Sequence, residues 1–211
     1  MSVPYDLDAA LTVLCQDPPL ATLIQQVGSC RLSLEGRTTS PFEALLRAIV
    51  YQQLSGKAAR VIHERLLALF AAGPTPEQLL TIDDQTLRGA GLSRAKIAAL
   101  RDLATKTLDG VVPSLAALAE MDDLEIISRL TAVRGVGRWT VEMLLMFHLG
   151  RPDILPVNDL GVRKGFMLTC GLAALPSPAE LLEYGKRWKP YRSVASWYLW
   201  RAVDLQSPFD V

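Results

Sequence analysis

The chain has 211 residues, half of them hydrophobic, with 22 basic and 22 acidic residues, so it can form one large domain or two smaller ones around a buried core. No apolar run reaches the ~18 residues of a membrane-spanning helix, and the N-terminus lacks a basic-then-apolar signal pattern, so we expect no membrane association. Cys15, Cys30 and Cys170 are scattered along the chain, which is typical of reduced thiols in a cytoplasmic protein without a disulfide or metal framework.

Helix-spaced apolar positions dominate the first part of the chain. They occur at residues 4–15 and 21–27, and after a polar loop they resume in a helix expected from Phe42 to about Gln53. Ser55 is placed to cap the following helix. The polar segment between these two helices contains a single leucine, Leu54. By itself this segment is an ordinary turn in which Leu54 covers the core.

The middle of the chain contains short helices and one glycine-rich segment. We expect helices at Pro76–Leu80 and Asp83–Gly89, followed by a helix that Ser93 caps and that runs to about Leu108. The glycines before Ser93, with Arg94 and Lys96 after it, are similar to a degenerate phosphate-binding hairpin. A simple corner between two helices is the alternative interpretation.

A second glycine pair lies between two predicted helices and gives the most specific pattern in the chain. Helix Asp122–Val133 is followed by Arg134-Gly135-Val136-Gly137-Arg138 and by an apolar helix from about Thr140 to Leu149. Glycines allow a tight turn and a close approach to another molecule. The unpaired amides at the start of the second helix favour an anion, most often a phosphate.

One acidic residue, Asp159, follows this hairpin after the loop Leu155-Pro156-Val157-Asn158. Local sequence alone favours a helix N-cap at this position. A carboxylate near a phosphate-binding turn also suggests chemistry on a nucleic acid. The closing helices are expected at Asp159–Cys170, Ser177–Lys186 and Tyr191–Val203.

The pattern as a whole predicts an all-α protein, since no stretch shows sustained alternation of apolar and polar residues. We expect two helical subdomains with a DNA-binding cleft between them. The first subdomain would comprise residues 41–115. The second would combine residues 1–40 with 116–211 and contain the helix-hairpin-helix at about 123–149.

Basic residues are concentrated locally although the net charge is zero. Residues 88–106 contain five basic residues and one acid, and residues 186–192 contain four basic residues and no acid. Such clusters are either solvated helix surfaces or parts of a basic face for nucleic acid.

The pattern VxGVGxWT…LPxxD, from Val133 to Asp159, resembles the helix-hairpin-helix DNA glycosylase superfamily. Within it, the chain is most similar to the 3-methyladenine DNA glycosylase II family of alkylation repair, from about Pro41 to the C-terminus. The resemblance implies an enzyme that flips out alkylated purines and hydrolyses the N-glycosidic bond in base excision repair. Its partner would be double-stranded DNA with alkylated bases, and we expect a monomer.

The resemblance also implies roles for individual residues. Asp159 matches the catalytic carboxylate. Trp139 stands where strand-cutting members have a lysine nucleophile, which predicts a hydrolase without lyase activity. Trp139 and Trp200 would be walls of the base pocket, although Trp200 is equally consistent with the core of the last helix. Leu160, after the catalytic position, replaces an aromatic residue of some members.

Contacts with DNA follow from the same resemblance. Leu54 would be the wedge that fills the gap left by the flipped nucleotide, with Gln53 supporting it. The DNA backbone would be bound by the hairpin and by the helix start after Ser93. This set comprises Gly135, Val136, Gly137, Arg138, Arg94 and Lys96.

No cofactor is expected to be required. The family's hairpin binds a monovalent cation, Na⁺ or K⁺, and the matching main-chain carbonyls here belong to Thr131, Val133 and Val136. These 211 residues contain no iron–sulfur cysteine cluster of the kind that some relatives have, and we expect no counterpart of the extra N-terminal β-rich domain of others.

Two other functions remain open from the residues. A non-catalytic helix-hairpin-helix module would explain Gly135 and Gly137 but not the context of Asp159 and Trp139. A glycosylase with lyase activity would require an amine nucleophile, which Trp139 does not provide.

Overall fold

The computed structural model describes residues 3–33 and 40–206, and within them the chain forms helices and no strand. This confirms the predicted all-α class. Part of the polar loop expected before Pro41, residues 34–39, lies outside the described residues. None of the described helices is long and apolar enough to span a bilayer. The helices are α1 Leu7–Leu14, α2 Pro18–Val27, α3 Pro41–Tyr51, α4 Gly56–Leu67, α5 Pro76–Thr81, α6 Asp84–Gly89, α7 Arg94–Leu108, α8 Leu115–Glu120, α9 Asp123–Leu130, α10 Arg138–Phe147, α11 Leu160–Thr169, α12 Pro178–Tyr184, a 3₁₀-helix Gly185–Trp188 and α13 Arg192–Gln206.

Polar N-cap side chains define where most helices begin. Each accepts a backbone N–H of the first helical turn, which has no acceptor within the helix. Thr75 with Gln78 and Ser177 with Glu180 form complete capping boxes. The capping residues are Asp6, Ser55, Thr75, Asp83, Ser93, Ser114, Asp122, Asp159 and Ser177.

The chain divides into two compact units. The terminal unit comprises Met1–Glu35 and Leu145–Val211, and the central unit comprises Gly36–Leu144. The boundary expected near residue 115 differs from this division, which keeps α9 and the hairpin with the central helices. Side chains of α7 explain the difference, because Asp102 and Lys106 bond to the main chain of the hairpin turn.

The core of the terminal unit lies around α11 and α13. Trp188 and Tyr198 are completely buried there, together with aliphatic residues of α1 and α2. Asp17, also buried, accepts hydrogen bonds from the Tyr184 hydroxyl at 2.9 Å and from Trp188 Nε1 at 2.7 Å. A buried carboxylate must have such donors, so Trp188 is a structural residue.

The backbones of α11 and α13 approach each other closely at Gly165. A Cβ at this position would lie 1.9 Å from the carbonyl oxygen of Leu199. Only glycine therefore allows this distance between the two helices. The close approach brings the residue after Leu199, which is Trp200, near the N-terminus of α11.

The central unit is built around α3 and α7. Its core consists of aliphatic side chains spaced to fall on one side of each helix, such as Leu45 and Ile49 of α3 and Leu100 and Leu103 of α7. Arg101, on another side of α7, donates to the carbonyls of Leu79 and Ile82 and so ties α7 to α5. Helices α3 and α7 pack against each other, and the hairpin turn contacts residues at the end of α3 and along α7.

Candidate active site

Asp159 is the N-cap residue of α11, and a backbone amide and an indole donate to its carboxylate. Oδ1 accepts the backbone N–H of Val162 at 2.8 Å and the indole N–H of Trp200 at 2.9 Å. The Asp159 amide donates to the Pro156 carbonyl at 2.9 Å, which fixes the preceding turn. The backbone donor and the indole donor both act on Oδ1, so the carboxylate is restrained while the residue remains partly accessible.

Trp200 contacts Asp159 through its N–H, and its ring lies against Phe147. The two ring centroids are 6.0 Å apart with an interplanar angle of 28°. Phe147 was not identified from the sequence, where it was one of several apolar residues at the end of α10. Trp200 belongs to α13, is partly buried against the core of the terminal unit and also reaches the Asp159 carboxylate. Its role as a wall of a base pocket stays a prediction.

Leu160 is the first residue of α11 and is 64% exposed. Its position beside Asp159 agrees with the sequence motif. A role in a base pocket stays a prediction.

The hairpin turn connects α9 and α10. Gly135 has a φ of 79°, which only glycine adopts easily, and Val136 donates to the Val133 carbonyl at 3.0 Å. Helix α10 begins at Arg138, two residues before the predicted start, since the Gly137 carbonyl already accepts Val141 N–H at 3.2 Å. The amides of the first turn of α10 therefore follow Gly137 directly.

Three side chains of the central unit hold this turn in place. Gln52 Nε2 donates to the Gly135 carbonyl at 2.8 Å. Asp102 Oδ2 accepts the Arg134 amide at 2.7 Å, and Lys106 Nζ donates to the Ala132 carbonyl at 2.6 Å. These bonds link residues far apart in sequence and leave no local pattern, so only the structure identifies Gln52, Asp102 and Lys106.

Two of the residues that hold the turn, Asp102 and Lys106, form an ion pair. Lys106 Nζ lies 2.8 Å from Asp102 Oδ2. Burial raises the pKa of Asp102, but the Arg134 amide and the Lys106 ammonium outweigh burial, and the pKa lies below its ordinary value. Asp102 is therefore ionised at neutral pH and binds the turn as a carboxylate.

Trp139 and Arg138 lie in the first turn of α10. The indole of Trp139 is 50% exposed, which is unusual for this residue type. Arg138 Nε donates to Glu142 Oε1 at 2.8 Å, and Glu142 is buried. The pair orients the guanidinium of Arg138 at the end of the hairpin. The side chain of Val136, by contrast, is buried, so Val136 can reach DNA only through its main chain.

The loop between α3 and α4 presents Leu54 to solvent with 39% of its surface exposed. Gln53 has a φ of 58°, a strained value for a residue with a side chain. Its neighbour Gln52, not Gln53, binds the hairpin. The loop and the hairpin turn are therefore directly connected, whereas the wedge function of Leu54 stays a prediction.

The helix start after Ser93 has a more structural role than its sequence indicates. Ser93 caps α7 by accepting the Lys96 amide. Lys96 Nζ donates to the Val50 carbonyl at 2.6 Å, and burial lowers the pKa of this ammonium. Arg94 is exposed. Contacts of Arg94 and Lys96 with DNA stay predictions.

The family comparison agrees with this geometry. A model of the HhH-GPD superfamily of base excision DNA repair proteins matches residues 46–190. The chain is 37% identical over 185 residues to DNA-3-methyladenine glycosylase 1 of Schizosaccharomyces pombe, which covers 87% of this chain and 81% of that protein.

Solved structures show the same similarity. The 3-methyladenine DNA glycosylase Mag1 of S. pombe, in complex with abasic DNA, is 35% identical with a TM-score of 0.81, over 92% of this chain and 95% of that one. A DNA-3-methyladenine glycosidase of Bacillus halodurans is 36% identical with a TM-score of 0.84, over 94% and 90%. The chain therefore belongs to the HhH-GPD superfamily of base excision DNA repair proteins, in its 3-methyladenine glycosylase branch.

Proposed function

We propose that this protein is a monofunctional DNA glycosylase that removes alkylated purines by hydrolysis of the N-glycosidic bond. The observation that carries the proposal is the position of the Asp159 carboxylate. It caps α11 and accepts hydrogen bonds from Val162 N–H and Trp200 Nε1–H. The relatives described above are named as 3-methyladenine glycosylases. In a relative of these glycosylases, a carboxylate with a restrained orientation is suited to stabilise the positive charge that develops on the sugar when the base leaves.

The reaction breaks the bond between the sugar C1′ and the base nitrogen. As the base leaves with the bonding electrons, C1′ becomes oxocarbenium-like, and a nearby carboxylate stabilises this positive charge. Water then supplies the oxygen to C1′, and Asp159 accepts the proton that the water loses. The leaving purine is already activated when alkylation gives it a positive charge.

Trp139 determines the choice between hydrolysis and strand cleavage. An indole cannot attack C1′ to form a Schiff base, because its nitrogen lone pair belongs to the ring system. Its exposed, electron-rich face instead suits a cationic base, with a contribution on the order of 1–2 kcal/mol. Alkylated purines such as 3-methyladenine and 7-methylguanine are therefore the proposed substrates.

The hairpin is the proposed site of contact with the DNA backbone. Phosphate oxygens would accept hydrogen bonds from the amides after Gly135 and Gly137. Arg138, oriented by Glu142, adds a charged donor. We propose that the protein binds DNA as a monomer in this way.

A monovalent cation fits the carbonyl-rich turn between α9 and α10. The Val133 oxygen accepts one hydrogen bond, from Val136, and a carbonyl oxygen has two lone pairs. Carbonyls of Thr131, Val133 and Val136 would hold the ion, which would neutralise a nearby phosphate. Among the described residues no cluster of three acidic, histidine or cysteine ligands exists for a divalent metal.

Release of free base from methylated duplex DNA by the purified protein tests the proposal. Wild type should release 3-methyladenine or 7-methylguanine, whereas Asp159→Asn should release none and still bind abasic-site DNA. DNA binding without base release by wild type would instead indicate a non-catalytic module. A covalent adduct trapped by borohydride would refute the assignment of a purely hydrolytic reaction.

A further inference from the structure

We infer that Trp200 and Gly161 are positioning residues for the Asp159 carboxylate: the indole N–H fixes its orientation, and the missing side chain at residue 161 admits the indole. The inference rests on the proposed function insofar as Asp159 is the reacting group. It assigns Trp200 a role beyond that of a wall for the base.

The direction of the indole supports this role. Tryptophan has a single polar atom, a donor, and Trp200 directs it to Asp159 Oδ1 at 2.9 Å. Phe147 lies against the ring, and the neighbouring Leu199 is completely buried. The donor therefore belongs to a packed side chain, and it restrains the carboxylate in a way that water cannot.

The contact between Trp200 and Asp159 requires a glycine at position 161. A Cβ at residue 161 would lie 2.8 Å from Trp200 Cδ1 and 3.1 Å from both Trp200 Nε1 and Asp159 Oδ1. These distances are shorter than ordinary carbon contacts, so even an alanine would displace the indole or the carboxylate. Gly161 is the second residue of α11, and the close approach of the Trp200 indole explains why this position has no side chain.

Gly165 places α13 at the required distance. Residues 161 and 165 are one helical turn apart and lie on the same side of α11. Gly165 admits the Leu199 carbonyl and Gly161 admits the indole of the next residue. The two glycines therefore have complementary effects. Gly165 allows the two helices to approach each other, and Gly161 allows Trp200 to reach the carboxylate.

The first variant to test is Trp200→Phe, which keeps an aromatic ring against Phe147 and removes the N–H. Val162 still donates to Oδ1, so the carboxylate loses one of its two described donors. A hydrogen bond to a charged group contributes enough to predict a roughly tenfold to hundredfold slower base release in single turnovers at saturating methylated DNA. Affinity for abasic-site DNA should change less than about threefold.

Trp197→Phe is the matched control. Trp197 is an indole on the same helix and packs edge-on against Tyr198 at 5.0 Å. It should keep the wild-type rate of base release within about twofold. Equal losses in the two variants would show that the effect reflects general damage to α13 and would overturn the inference.

Gly161→Ala tests the steric part, alone and combined with Trp200→Phe. Alone it should slow base release about as much as Trp200→Phe does. In the double variant the second substitution should add little, because both act on one contact. Independent, multiplying losses would overturn the claim that Gly161 acts through the indole, as would a wild-type rate in either single variant.

A spectroscopic measurement separates this inference from the proposed function. Of the four indole N–H signals of the protein, the one that disappears in Trp200→Phe should shift in Asp159→Asn, while the signal lost in Trp197→Phe should not. An unshifted Trp200 signal would overturn the contact itself. A shifted signal in a protein that releases no base would refute the proposed function and leave the contact intact.

Discussion

Asp102→Asn tests whether α7 holds the hairpin turn. In wild type, Asp102 Oδ2 accepts both the Arg134 amide at 2.7 Å and Lys106 Nζ at 2.8 Å. Asparagine retains one acceptor oxygen and loses the charge. This oxygen has two lone pairs, so the variant keeps these bonds at most as hydrogen bonds to a neutral acceptor, and Lys106 loses its ionic partner.

The expected loss of stability follows from these contacts. The side chains of Lys106 and Asp102 are 27% and 30% exposed, so the pair is neither fully screened nor fully desolvated. One charge-assisted hydrogen bond, reduced for this exposure, corresponds to about 1–2 kcal/mol in the free energy of unfolding. Urea denaturation measures this difference. Asp109→Asn, an exposed aspartate at the C-terminal end of α7, should change it by less than about 0.5 kcal/mol.

The dependence on pH has a defined sign. The pKa of Asp102 is lower in the folded protein than the ordinary aspartate value of about 3.9. The carboxylate therefore stabilises the fold above that value, and its contribution is lost as pH falls through the folded-state pKa. The stability difference between wild type and Asp102→Asn should be constant near neutrality and shrink below about pH 4. A difference that grows in acid, or none at any pH, would refute the reasoning.

Two further predictions concern DNA binding. Gln52→Ala should weaken binding to abasic-site DNA by about threefold to tenfold, because loss of one side-chain hydrogen bond to Gly135 costs roughly 0.5–1.5 kcal/mol of turn stability; fluorescence anisotropy measures this, and Gln85→Ala, an exposed glutamine of the same unit, should bind as wild type does. Arg94→Ala should reduce the slope of log affinity against log salt by about one if Arg94 contacts a phosphate. An unchanged slope would remove Arg94 from the backbone contacts.

Local signals explain why the helices could be predicted. Ser55, Ser93 and Asp159 each cap the helix that the sequence assigned to them, because capping depends on a few adjacent residues. The motif around Gly135 was recognisable for the same reason, since its turn requires a positive φ within a short segment.

Contacts between distant residues were beyond prediction. The sequence does not distinguish the adjacent Gln52 and Gln53 as partners of the hairpin, because their side chains are identical. In the structure the backbone has a positive φ at Gln53, and Gln52 donates to the Gly135 carbonyl. Asp102 and Arg134 are 32 residues apart in the sequence. The direction of the Trp200 N–H likewise depends on the distance between α11 and α13. Such bonds require tertiary packing, which no local pattern encodes.

The distribution of basic residues shows why charge counting is a weak guide here. Of the five basic residues in 88–106, Lys96, Arg101 and Lys106 donate to main-chain carbonyls of neighbouring segments. They serve the fold because a cation is a strong donor for carbonyls at helix ends. Arg88 and Arg94 are the exposed members of this cluster. A net charge of zero is therefore no argument against DNA binding, since the proposed grip uses main-chain amides of a turn that these internal cations help to hold.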